Sequence, residues 1–281
     1  MSSIKFVVSN FKISYAKAKQ VKKECENQLD DSIDIWTKVG LHLMFGKENF
    51  VINYGSARLR IILTQYIKLY SREIIMKAIS KYYSNLEYTS MSASTPKKLH
   101  HALNSSTNAI CKYIRYKFDY EPMSLLGIFN EIYMLKCLKG NNLPHTNDSN
   151  WSSFFGNLKS EDPRFGELKD KSEIFRYYAK TLTPLLYRNI ELLKSTLNID
   201  NLKVEKTSKY KIEGVFTPDA VISAGGNLYI LEIKSSTKQV ENGSIQAFFD
   251  LCKFNRNGIF NVSGAVCIST YSNPMCCLYS M

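Results

Sequence analysis

Asp219 and Glu232 stand thirteen positions apart, and Lys234 follows, in the stretch Thr217-Pro218-Asp219-Ala-Val-Ile-Ser-Ala-Gly-Gly-Asn-Leu-Tyr-Ile-Leu-Glu232-Ile-Lys234. Val221 and Ile222 follow the aspartate, Gly225-Gly226-Asn227 supplies positive-φ residues for a tight hairpin, and 228–233 is apolar and β-branched enough for a buried strand. In such a strand residues i and i+2 share a face, so Glu232 and Lys234 point one way while Leu231 and Ile233 point into the core. Charges that interrupt an apolar strand are costly unless paired, and a divalent cation held by Asp219 and Glu232 would pair them. Oxygen ligands suit Mg²⁺ or Mn²⁺, which keep waters and use one or two carboxylates plus substrate phosphates. The predicted chemistry is hydrolysis of a phosphodiester: such an ion lowers the pKa of water and neutralises developing charge. Lys234 would orient or help deprotonate the attacking water and place positive charge at the scissile phosphate.

Around this hairpin the sequence predicts a polar turn over 235–243, a helix over 244–254 and a strand over 263–270. Asn242-Gly243-Ser244 spells a glycosylation sequon and reads as a turn with a helix cap. The chain before the hairpin is mostly helical. One helix is expected over 56–86, where Leu59, Ile62, Leu63, Tyr66, Ile67, Tyr70, Ile74, Ile75 and Ile79 recur at three- and four-residue spacing. Arg58, Arg60, Lys68, Arg72, Lys77 and Lys81 intersperse that pattern, either as a groove with aromatic stacking platforms for nucleic acid or as a solvated basic face beside core tyrosines. A serine-rich break follows over 90–96, then a helix over 99–118 carrying Lys112, Arg115 and Lys117. The segment 125–138 reads as an amphipathic helix with one acid, Glu131, among apolar neighbours. Thr183-Pro184 looks like a helix cap followed by proline at the first helical position, opening a helix that carries Glu191.

Pro218-Asp219 with Glu232-Ile233-Lys234 resembles the PD-(D/E)xK nuclease superfamily, whose core order of strand, turn, strand, helix and strand matches the expected elements. The resemblance implies an α/β core, a mixed central sheet flanked by helices, at the C-terminal end. It also implies a glutamate from the first core helix, often in a Gly-x-x-x-Glu pattern like Gly127 to Glu131, which makes Glu131 the preferred third acid. Glu191 and Glu173 compete for that place. In several branches a glutamine or lysine on the following helix reaches the site, and Gln246 and Lys253 match those positions. The implied division is a helical region over 1–120 and a nuclease core over 121–281, with a helical insertion around 140–200.

Within the superfamily the last 65 or so residues are most similar to the RNA endonuclease domain at the front of the large polymerase protein of segmented negative-strand RNA viruses, phlebovirus type. Thr217-Pro218-Asp219, Glu232, Gly243-Ser-Ile-Gln246-Ala and Tyr271-Ser-Asn-Pro carry that likeness. It implies cap-snatching RNA cleavage and a polymerase or other replication partner. That type often adds a histidine to the metal site from the helix before the hairpin, where this chain has none; His100, His101 and His145 are the histidines to test. The same constellation resembles stand-alone DNA enzymes, restriction endonucleases and phage or RecB-like exonucleases, with replication or repair partners. The non-enzymatic rival is a nuclease-fold module that only binds nucleic acid.

The chain of 281 residues carries a net charge of +12, which suits an anionic partner, RNA or DNA. No Gly-x-x-x-x-Gly-Lys-Ser/Thr run accompanies the motif, so strand opening falls to another protein. The seven cysteines, at 25, 111, 137, 252, 267, 276 and 277, show neither CxxC pairs nor a cysteine-histidine cluster, against a structural zinc site. Their odd count and the lack of an N-terminal apolar stretch point to a reducing intracellular compartment, and no segment approaches membrane-spanning length.

Overall fold

The computed structural model describes residues 3–26, 32–46, 50, 56–83, 85–118, 121–140, 143–168, 172–205, 218–257, 261–271 and 273–281. The described chain runs α1 (Ile4–Phe11), α2 (Tyr15–Glu26), α3 (Ile35–Phe45), α4 (Ser56–Tyr70), α5 (Arg72–Ile79), β1 (Glu87–Ser92), α6 (Lys97–Lys117), α7 (Pro122–Leu138), α8 (Asp148–Glu161), α9 (Arg164–Glu167), α10 (Ser172–Leu197), β2 (Leu202–Val204), β3 (Ala220–Ala224), β4 (Asn227–Ser236), α11 (Thr237–Asn257), β5 (Gly264–Tyr271) and β6 (Met275–Ser280). The fold is mixed α/β, with a six-stranded mixed sheet ordered β1-β6-β5-β4-β3-β2. Among the described residues no helix is long and apolar enough to cross a membrane. The seven cysteines are all free and buried.

Two compact units share the chain. The first comprises Met1–Thr89, Ser244–Ala265 and Leu278–Met281; the second comprises Ser90–Gly243 and Val266–Cys277. Aromatic packing dominates the first. Phe45 meets Phe248 and Phe249 at ring separations of 5.7 and 5.8 Å, and Phe248 meets Tyr279 at 4.9 Å. The single helix expected over 56–86 is broken at Ser71, whose φ of 74° no helix accepts. Its hydroxyl instead caps α5 by accepting from Ile74 N–H. The periodicity was carried by both pieces, because Leu59, Ile62, Leu63, Tyr66, Ile75 and Ile79 are all buried.

In the second unit α6 packs on α10, and α7 packs on α10 and β4. Phe129 of α7 joins Tyr133, Phe154, Phe175 and Tyr178 in a cluster with ring separations of 5.4 to 5.9 Å. That helix buries one stripe, Leu125, Leu126, Phe129, Asn130, Tyr133, Met134, Cys137 and Leu138, while Met123, Ser124 and Lys136 are exposed and Ile128, Glu131, Ile132 and Leu135 are half-buried. The proposed cap at Thr183-Pro184 lies instead inside α10. Thr183 Oγ1 donates to Ala179 O at 2.8 Å and pairs with Tyr133 Oη, so the hydroxyl serves the helix interior and a neighbour rather than a terminus. Pro184 is exposed, on the side where its ring meets solvent.

Two further expectations are corrected. The serine-rich stretch at 90–96 begins inside β1, an almost wholly exposed strand; as an edge it needs backbone pairing on one side only, which polar side chains do not oppose. The polar turn over 235–243 does not exist: β4 runs to Ser236 and α11 starts at Thr237, so the sequon is helical. The residues there are polar because this first part of the helix, Lys238, Gln239, Glu241 and Asn242, is exposed. The sequence reading also leaves out β6. The described residues of 140–200 include α8, α9 and α10.

Candidate active site

The hairpin forms as its spacing predicts. Antiparallel pairing sets Ala220 against Leu231, Val221 against Ile230 and Ala224 against Asn227. Gly225 and Gly226, at φ 55° and 83°, close a two-residue turn whose twist matches that of the strands. Carrying the register one residue past Ala220 sets Asp219 across from Glu232. Asp219 Oδ2 accepts from the Ile233 backbone N–H at 2.7 Å, which ties the aspartate to the opposing strand. Glu232 is only 1% exposed, and Lys234 Nζ donates to its Oε1. Leu231 and Ile233 are buried as well, so both faces of β4 are covered. Thr217 lies outside the described residues.

Glu131 is brought to this pair by α7. The helix is held on either side of it: Asn130 Oδ1 accepts from Tyr178 Oη at 2.9 Å, and Tyr133 Oη pairs with Thr183 Oγ1 at 2.8 Å and His145 Nδ1 at 2.6 Å. Burial, then the charges of Asp219 and Glu232, push the Glu131 carboxyl up to about 7, with Lys234 pulling the other way. Burial also raises Asp219 above the usual carboxylate range, against the Ile233 N–H and Lys234. Burial disfavours the charge on Lys234, but the Glu232 carboxylate and its hydrogen bond, with Asp219, outweigh it and leave the lysine raised. These are mutual perturbations of neighbours, the signature of titratable groups sharing one small volume. Among the described residues no three His, Cys, Asp or Glu side chains converge closely enough to hold a metal ion by themselves.

The other expected residues have surroundings of their own. Glu191 is exposed and pairs with Lys194 at 3.0 Å, and Glu173 is exposed and lies 3.6 Å from Arg176. His100 and His101 are exposed on α6, with His100 beside Asn104, while His145 is bound to Tyr133. Gln246 belongs to the first unit, where its amide oxygen accepts from Arg60. Lys253 lies in that unit too and is 5% exposed.

The basic helices of the first unit are committed to architecture at three points. Arg58 donates to Ser9 O at 2.7 Å, Arg60 to Gln246, and Arg72 to Ser244 Oγ and Tyr279 Oη at 2.8 and 2.7 Å while lying 4.9 Å from the Tyr88 ring centre. Lys68, Lys77 and Lys81 are exposed. Cys267 is the neighbour that sequence reasoning missed. It is fully buried on β5, and burial followed by the Glu232 charge drives its thiol well above the ordinary range. No spacing links it to the motif; only the placement of β5 beside β4 does. Compared with known proteins, the chain matches no family model, no curated protein and no solved structure.

Proposed function

We propose that this chain is a divalent-metal-dependent nuclease of PD-(D/E)xK type, hydrolysing phosphodiester bonds in nucleic acid. The observation that carries the reading is the cluster of Asp219, Glu232 and Lys234 at one end of the hairpin, with Glu131 close enough to feel all three. Three carboxylates facing one ammonium have excess negative charge in a buried place, and oxygen donors of this kind fit Mg²⁺ or Mn²⁺. Those ions need only one or two protein carboxylates, the rest of the shell being water and phosphate. Asp219 and Glu232 would hold the ion and Glu131 would complete the acidic set. When bound, the ion supplies charge neutralisation at the phosphate and a more acidic water.

The residues of the chain do the rest. Lys234, raised in pKa by Glu232 and Asp219, stays an ammonium at neutral pH. It therefore serves as a fixed positive charge and a donor that orients the attacking water, and it does not remove the proton. Without a cation the Glu131 carboxyl is raised to about 7, and a bound cation would lower it and so make it the group suited to take a proton there. The basic surface, net +12, concentrates the polyanion. RNA is the first substrate to test, with a polymerase or other replication protein as partner, on the likeness carried by 217–219, 232, 243–247 and 271–274. A restriction-like or RecB-like DNA nuclease is the alternative.

The test is cleavage of matched single-stranded RNA, single-stranded DNA and linear and circular duplex DNA with Mn²⁺, Mg²⁺ or EDTA, with Lys234→Ala as the contamination control. Mn²⁺-dependent RNA cutting lost in the variant supports the polymerase-associated reading, and DNA-only cutting supports the alternative. Tight binding of nucleic acid without any cutting overturns the enzymatic reading in favour of a binding module.

A further inference from the structure

One glycine bears directly on the lysine. Gly243 lies within α11, where nothing about turn geometry demands a glycine. What demands it is space. A Cβ at 243 would lie 2.7 Å from Lys234 Cγ, 2.9 Å from Lys234 Cε and 2.7 Å from Cys267 Sγ. All three distances are shorter than carbon or sulfur contacts allow, and Cγ sits too near the backbone for the lysine to step aside by a rotation at its tip. Gly127, the other helical glycine near β4, is less constrained: its nearest neighbour is Ser235 Oγ at 3.2 Å. Ser235 alternates with Lys234 along the strand, so it lies on the opposite face.

We propose that Gly243 is a positioning residue for Lys234. Its missing side chain leaves a slot against the α11 backbone, closed by the Cys267 sulfur, that holds the aliphatic stem of the lysine so that its ammonium stays on Glu232. A buried lysine stem has several rotatable bonds, and directing its charge to one oxygen requires walls along its length. Helix propensity alone favours alanine over glycine inside a helix, so the steric conflict is the reason for glycine here. The consequence for catalysis rests on the nuclease reading above; the consequence for lysine placement does not.

The experiment is a double-mutant cycle on the full chain: wild type, Gly243→Ala, Lys234→Ala and the pair. Each protein is assayed for cleavage, for Mn²⁺ binding by electron paramagnetic resonance, and for melting temperature. Gly243→Ala is expected to cut about 10- to 100-fold more slowly, with undiminished Mn²⁺ binding, and to melt lower than wild type. On the Lys234→Ala background the same substitution meets only Cys267, so it should lower the melting temperature less and slow cleavage no further. An equal drop in melting temperature on both backgrounds, or wild-type cleavage by Gly243→Ala, overturns the proposal. Should Gly243→Ala fail to fold, recovery of folding in the pair supports the slot, and failure of the pair overturns it. If the wild-type protein cuts nothing, the nuclease reading falls while the melting-temperature cycle still decides whether Gly243 places Lys234.

Discussion

In the first unit, Arg58, Arg60 and Arg72 each end on a neutral oxygen: a backbone carbonyl, a side-chain amide, and a pair of hydroxyls. In the second, Glu131, Asp219 and Lys234 answer first to burial and then also to charges among Asp219, Glu232 and Lys234. A guanidinium that donates to neutral oxygens of other elements holds those elements together, and its removal costs stability. Carboxylates crowded into a buried volume keep abnormal pKa values, destabilise the fold when ionised, and are retained where chemistry uses them. The pattern of aromatic and basic residues in 56–86 looked like a binding groove or a core with a solvated face. The outcome lies between those readings: the apolar positions are core, the lysines are exposed, and the arginines are braces.

The contrast breaks most easily at the hairpin. Asp219→Asn should reduce metal-dependent cleavage by about 10³-fold or more while leaving the far-ultraviolet circular dichroism and nucleic-acid binding near wild type. Cleavage at the wild-type rate would remove Asp219 from the site. The next largest effect belongs to a brace. Arg72→Ala strips the buried Ser244 and Tyr279 hydroxyls of a charged donor and should cost roughly 2–3 kcal/mol, equally at pH 6 and pH 8, in chemical denaturation. Arg72→Lys should not restore it, because an ammonium cannot reproduce the planar fork over the Tyr88 ring. Full rescue by lysine would reduce the role of Arg72 to its charge.

Glu131 sharpens the comparison through pH. Its carboxyl is raised from 4.5 to about 7, so the folded protein holds that proton more tightly than the unfolded chain does. The favourable contribution is complete below the unfolded value and is lost as pH rises through 7. Glu131→Gln removes the cost of the buried charge, so at pH 8 the variant should be more stable than wild type by roughly 1–3 kcal/mol, the gap closing towards pH 5. A gap that does not change with pH would contradict the assignment. Smallest of all is Glu191→Ala, on an exposed i,i+3 pair, expected to alter stability by less than about 0.5 kcal/mol and to leave cleavage rates unchanged. A large loss of cleavage there would restore Glu191 as the third acid.

Legibility followed the range of the interactions. The hairpin could be read because its turn, alternation and register depend on residues within some fifteen positions, and two adjacent glycines at positive φ leave the chain one tight geometry. The interior of α10 could not. Thr183-Pro184 is spelled like a helix start, and only the contact of Thr183 with Tyr133, fifty positions away, shows that the helix passes through. The start of α11 was likewise hidden, since exposed polar residues in a helix and polar residues in a turn have the same composition. β1 was hidden for a related reason, its exposed edge requiring no apolar alternation.

For the candidate site, the amino-acid order by itself determined that Glu232 and Lys234 share a face and that Asp219 meets them across the turn, because strand period and hairpin register are local. Tertiary structure alone gives Glu131 and Glu191, both helical glutamates, their different surroundings. One is half-buried on a helix packed against β4 and feels the hairpin acids; the other faces solvent beside Lys194. Tertiary structure also brought Cys267 and Gly243 against the lysine, by placing β5 and the first turns of α11 beside β4. Charge perturbation and steric exclusion act through space, and sequence separation carries no record of them until the chain has packed.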